Sequence, residues 1–85
     1  MQMMQMIFID ANNYASAKEL HAALKMMLDL PGHYGCNADA LHDCLSERRD
    51  QVNLVVCSRG EGETADALHK IALVVEDLGG EVRYL

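Results

Sequence analysis

LPGHYGCNADALHDCL, residues 30–45, holds the only proline of the 85-residue chain, two of its four histidines and two of its three cysteines. Pro31-Gly32 ends whatever precedes it, because proline cannot continue a helix and glycine leaves one cheaply. Asn37 then reads as an N-cap, its side-chain oxygen placed to accept from a free amide one turn on. From Ala38 to about Ser46 the residues suit a short helix. At ~100° per residue, Ala38, Leu41, Cys44 and Leu45 fall on one side, and Asp39, His42, Asp43 and Ser46 on the other. The first side is a core stripe. The second carries two carboxylates at i and i+4, a spacing at which like charges destabilise a helix by roughly 0.2–0.5 kcal/mol. No lysine or arginine stands at i±4 to offset them. The helix N-terminus compensates in part, mostly at Asp39. The stretch therefore predicts an acidic patch on a rigid element, entered by a turn bearing His33 and Tyr34.

The flanking sequence supplies the rest of the fold. Upstream, Met4–Asp10 predicts a strand: Met6-Ile7-Phe8-Ile9 is a continuous apolar run, of the kind buried on both faces of a parallel sheet. Ser16 and Glu19 form a capping box that opens a helix with Leu20, Leu24, Met27 and Leu28 as its stripe. His21 lies beside that stripe and is expected to be structural, satisfied by a backbone group. Downstream, residues 47–51 form a charged loop, and Val52–Val56 predicts a second strand. Cys57 at its end is expected to be a small buried hydrophobe. Residues 58–62 read as a glycine-containing loop. They lack the third glycine of a dinucleotide fingerprint and the Gly-Lys-Ser/Thr of a nucleotide-phosphate loop.

Thr64 is expected to cap a third helix, whose Leu68, Ile71, Ala72, Val75 and Leu78 recur at core spacing. Gly79-Gly80 ends it, and Glu81–Leu85 predicts a last strand. Helices between strands imply crossover connections. The expected fold is α/β: one small domain over residues 1–85, a three-stranded parallel sheet packed against three or four helices.

Composition narrows the function. Seven basic against thirteen acidic residues give a net charge of −6, with 51% apolar and 24% charged residues. That is a globular chain whose charge argues against nucleic-acid binding, which needs a positive footprint. It suits a basic partner, drawn in by long-range attraction. Three cysteines without dense spacing point to reduced thiols and a cytoplasmic location. The opening residues MQMMQM lack the basic region of a signal peptide, and no apolar run reaches membrane-spanning length.

Read as LPxxYGxNxDALxDCL, the stretch resembles the signature of the barstar family, intracellular inhibitors of barnase-type ribonucleases. Eleven of sixteen positions match: Leu30, Pro31, Tyr34, Gly35, Asn37, Asp39, Ala40, Leu41, Asp43, Cys44 and Leu45. The likeness runs upstream through Leu20, His21 and Leu24 to the first strand; the second half of the chain agrees in layout only. It implies an inhibitor without activity of its own that needs no cofactor. The helix and its preceding turn would fill the active site of a basic secreted or toxin ribonuclease, one molecule to one. Carboxylates would stand where the substrate phosphate binds. Carried over by position, Asp43 is the central anion, Asp39 a second, and Gly35 and Asn37 turn contacts. His33 and His42 take aromatic positions, and Tyr34 and Ser46 complete the expected partner-binding set.

This chain departs from the pattern in places. His33 and His42 stand where the family has a tyrosine and a tryptophan, and Arg48 where it has another tryptophan. Arg48 would meet a basic enzyme with the wrong sign. The acid that the family supplies from its last helix aligns with Val74, with Glu76 and Asp77 close by. A protonated His42 between Asp39 and Asp43 would neutralise the patch, so affinity is expected to fall as pH drops through the histidine range.

The residue types of this stretch also belong to two other chemistries. His33, Cys36, Asp39 and His42 recur every three residues and are all zinc-ligand types, but their spacing fits no common metal motif. Asp39, His42, Asp43 and Cys44 contain a nucleophile and a base, but Cys44 falls on the core side in acidic surroundings, the reverse of what activates a thiol. The alternative function is a non-inhibitory regulatory module of the same fold that binds some other basic protein.

Overall fold

The computed structural model describes residues 4–85. Strand β1 (Met4–Asp10) passes through a short 3₁₀ turn (Ala11–Asn13) into helix α1 (Ala17–Met27). Helix α2 (Ala38–Ser46), strand β2 (Gln51–Ser58), helix α3 (Gly62–Asp77) and strand β3 (Val82–Tyr84) follow. The strands form one parallel sheet in the order β1-β2-β3. This is the expected α/β layout, with the 3₁₀ turn beside three full helices.

The capping box at α1 forms with its return arm shifted by one residue, onto the amide before the cap. Ser16 accepts from the Glu19 amide at 3.1 Å, and Glu19 accepts from the Ala15 amide at 2.6 Å. A third cap comes from outside the helix: Glu63 in the first turn of α3 accepts from the Ala17 amide at 3.1 Å. The start of α3 departs from expectation. Glu61 holds the N-cap position without a side-chain bond, and Thr64 lies buried one turn in, donating to the Tyr14 carbonyl at 3.3 Å. Thr64 therefore ties the loop before α1 to α3 and does not cap a helix. The predicted loop over 58–62 is correspondingly shorter, taken up by β2 at one end and α3 at the other.

Ile7, Ile9, Val52, Leu54 and Val56 face the helices and meet Leu20, Leu24, Leu41, Leu68 and Ile71 in one core. The other sheet face is open. Met4 (63%), Met6 (51%) and Phe8 (58%) are exposed, so β1 is not buried on both faces as its apolar run suggested. Adjacent strands joined in order by crossovers of one hand place every helix on the same side. Cys57 lies beyond the core and is also exposed, contrary to its expected burial. Helix α3 ends through Gly79, in the left-handed region at φ 91°. The Gly80 amide bonds the Val75 carbonyl at 2.8 Å and the Gly79 amide that of Glu76 at 3.0 Å, a Schellman closure. Among the described residues no helix is long and apolar enough to cross a membrane.

Candidate functional site: the acidic face of α2

Helix α2 has the bounds its sequence predicts. Asn37 accepts from the Ala40 amide at 2.8 Å, while its Nδ2 donates to the Gly35 carbonyl at 3.2 Å. The cap residue thus fixes both the helix start and the turn before it. Leu41 and Leu45 are buried, and Ala38, Ala40 and Cys44 pack against the same core. That anchorage leaves Asp39 and Asp43 exposed on the outer side. Among the described residues neither carboxylate has a salt-bridge or side-chain hydrogen-bond partner. Ser46 closes the last turn by donating to the Asp43 carbonyl oxygen at 2.9 Å.

Of the eight expected contact residues, His33, Gly35, Asn37, Asp39, Asp43 and Ser46 are exposed, and His42 is half-buried. Tyr34 is the exception. Its side chain is only 6% exposed, and its hydroxyl lies 2.6 Å from Nδ1 of the buried His21. Tyr34 therefore holds the turn from beneath and does not present its ring to a partner. His21 is structural as expected, but its polar partner is this hydroxyl and not a backbone group. Burial lowers the His21 pKa and is the leading cause that raises that of Tyr34, so both stay neutral in the interior.

Two residues are placed differently from their expected roles. Nε2 of His42 lies 2.9 Å from a carboxylate oxygen of Asp77 on α3, so the imidazole is drawn away from Asp39 and Asp43 rather than held between them. Arg48 does not stand on the rim as a free cation. Its Nε and Nη2 grip the two oxygens of Asp50, each at 3.0 Å, Nη2 reaches Gln5 Oε1 at 3.0 Å, and Nη1 donates to the Leu28 carbonyl at the end of α1. The guanidinium satisfies an orphan helix carbonyl and binds α1, β1 and the loop after α2 together. Its hydrogen bonds hold the Asp50 carboxyl below the usual range.

Between the Pro31 turn and α2 runs a groove of about 560 Å³, floored by Leu30, Ala40 and Cys44 and rimmed by Asp29, Asp43 and Glu47. Asp29 and Glu47 were not singled out by the sequence; Asp77 was, but only as a neighbour of the position aligned with the family's last-helix acid and not as the partner of His42. Asp29 and Asp77 belong to other helical segments and reach the neighbourhood of α2 only through the fold. The one sequence-level sign was at Asp29, an acid directly after a helix where glycine is usual. The structure does not gather His33, Cys36, Asp39 and His42: among the described residues, no three histidine, cysteine, aspartate or glutamate side chains converge on one point. Nor does it join Cys44 to His42, since Cys44 packs on the core and His42 turns to α3.

These features define a class: a small two-layer α/β protein that displays a rigid acidic helix face beside an apolar groove. Comparison with known proteins specifies it further. The family model described as "Barstar (barnase inhibitor)" matches residues 4–83, and the chain belongs to the barstar family. A curated relative from Bacillus subtilis (strain 168), "Putative ribonuclease inhibitor YrdF", is 46% identical over 43 residues. That alignment covers 51% of this chain and 47% of the relative, so the chain matches about half the relative's length.

Proposed function

We propose that this protein inhibits a barnase-type ribonuclease by laying α2 and the preceding turn into the enzyme's active site. The partner would be a basic secreted or toxin ribonuclease, bound one to one by an inhibitor resident in the cytoplasm. Asp43 is the central anion and Asp39 the second; each offers acceptor oxygens suited to the guanidinium and ammonium groups that otherwise hold the substrate phosphate. His33, Gly35, Asn37, His42 and Ser46 frame them, and Tyr34 acts from below by fixing the turn.

The observation that carries this reading is that Asp39 and Asp43 stay exposed and unpaired while Arg48, the first arginine after the helix, is engaged internally. A chain selected only for stability gains by pairing such charges. A helix fixed by cap and core also loses little entropy on docking. The test is inhibition of a barnase-type ribonuclease by the wild type and by Asp43→Ala. Strong inhibition lost in the variant supports the reading; a wild type that inhibits no better than Asp43→Ala overturns it.

A further inference from the structure

We propose that the groove beside α2 receives one arginine side chain of the ribonuclease, held between Asp29 and Glu47. This rests on the inhibitor reading and adds a second point of recognition to it. Leu30, Ala40 and Cys44 offer apolar surface for the methylene stem. Asp29, Asp43 and Glu47 ring the mouth with carboxylates that match a guanidinium fork. Arg48 also lines the groove, but its donors are committed to Asp50, Gln5 and Leu28. His33 and the Cys44 thiol are the other titratable groups lining it. The groove therefore carries surplus negative charge over an apolar floor, and a long cation with an aliphatic stem complements both.

Asp29 bears this out from a second direction. It closes α1 as Gly79 closes α3. The Leu30 amide bonds the Lys25 carbonyl at 2.9 Å and the Asp29 amide that of Met26 at 3.4 Å, with Asp29 in the left-handed region at φ 51°. Glycine takes that conformation without strain, and an acid beside a helix C-terminus meets the unfavourable end of the dipole. Among the described residues the Asp29 carboxylate accepts no hydrogen bond. Local folding thus disfavours aspartate in this backbone conformation; its charge is felt by Arg48 on the groove wall, whereas Asp43 and Glu47 have no cationic hydrogen-bond or salt-bridge partner among the described residues, so the rim keeps a surplus of negative charge.

The test compares inhibition of a barnase-type ribonuclease by wild type, Asp29→Asn, Glu47→Gln and Asp43→Ala. Asparagine tolerates the left-handed backbone, so Asp29→Asn removes charge without disturbing the turn. The expected result is roughly twofold to fivefold weaker inhibition for each groove variant, and near-complete loss for Asp43→Ala. If Asp43→Ala abolishes inhibition while both groove variants match wild type, the groove proposal is wrong and the inhibitor reading stands. If Asp43→Ala changes nothing, or the wild type does not inhibit, both fall.

Discussion

Replacing Tyr34 by phenylalanine tests how the turn before α2 is held. The hydroxyl sits 2.6 Å from His21 Nδ1, and the two residues are 6% and 4% exposed. Deleting the hydroxyl strands a buried ring nitrogen, which costs about 1–3 kcal/mol. At about 4–8 °C per kcal/mol for a domain of this size, the melting temperature should fall by roughly 5–20 °C. Removing both polar groups in His21→Leu/Tyr34→Phe should cost less than the sum of the single changes, with a coupling of about 1 kcal/mol. Acid dependence separates the partners. Burial lowers the His21 pKa in the folded state, so the unfolded chain binds that proton more readily. Its contribution is complete above the ordinary histidine value. It is lost as pH falls from there toward the folded pKa, at no more than about 1.4 kcal/mol per pH unit. His21→Leu should flatten that limb, whereas Tyr34→Phe should keep it, since the imidazole stays buried. Urea unfolding followed by circular dichroism between pH 8 and pH 5 measures both effects. The reasoning is refuted if Tyr34→Phe unfolds within about 0.5 kcal/mol of wild type at pH 8, or if His21→Leu keeps the wild-type slope.

Three further changes probe the frame around α2. Arg48→Met strands Asp50 and the Leu28 carbonyl and should destabilise the protein by about 2–4 kcal/mol in urea titrations. Because Arg48 holds the Asp50 carboxyl below its usual range, the pair's stability is present above the ordinary aspartate value and lost as pH falls through the folded one; Asp50→Asn should weaken that acid limb. Gly80→Ala should cost more than about 2 kcal/mol by the same assay, since a Cβ there would overlap the Val52 carbonyl oxygen and press on Val75. Asp29→Gly should have the opposite sign, raising stability by about 0.5–1 kcal/mol by relieving the left-handed aspartate.

How much of this was legible in the sequence follows the range of the forces involved. Helix α2 was readable to the residue because Asn37 and the Leu41–Leu45 stripe act within one or two turns. The exposure of Asp39 and Asp43 followed from the same wheel. Sheet faces were less legible: MIFI is apolar throughout, and only the three-strand order reveals that Met6 and Phe8 face outward. Thr64 looked like a cap because the turn chemistry of Glu61-Gly62, which starts the helix earlier, carries no side-chain signal. The remaining differences are contacts between distant segments. His21 meets Tyr34 thirteen residues on, Arg48 reaches Gln5 across 43, and His42 finds Asp77 across 35. Spacing on one helix cannot anticipate partners supplied by another.

The disposition of the cations argues that the charge on α2 is retained and not incidental. Lys25 is directed to the Gly32 carbonyl at 3.4 Å, Arg48 to Asp50 and the end of α1, and Arg59 over the Tyr84 ring at 4.2 Å. Each stabilises a local feature, and none bonds to Asp39 or Asp43. Meanwhile the cap, the buried Leu41 and Leu45, the Arg48 clamp and the Tyr34 hydroxyl all fix the helix and the turn that carry those acids. A rigid scaffold gains nothing for its own stability from two like charges one turn apart on its surface. It gains when a cationic partner arrives, because the anions are already in position and their mutual repulsion is relieved on binding.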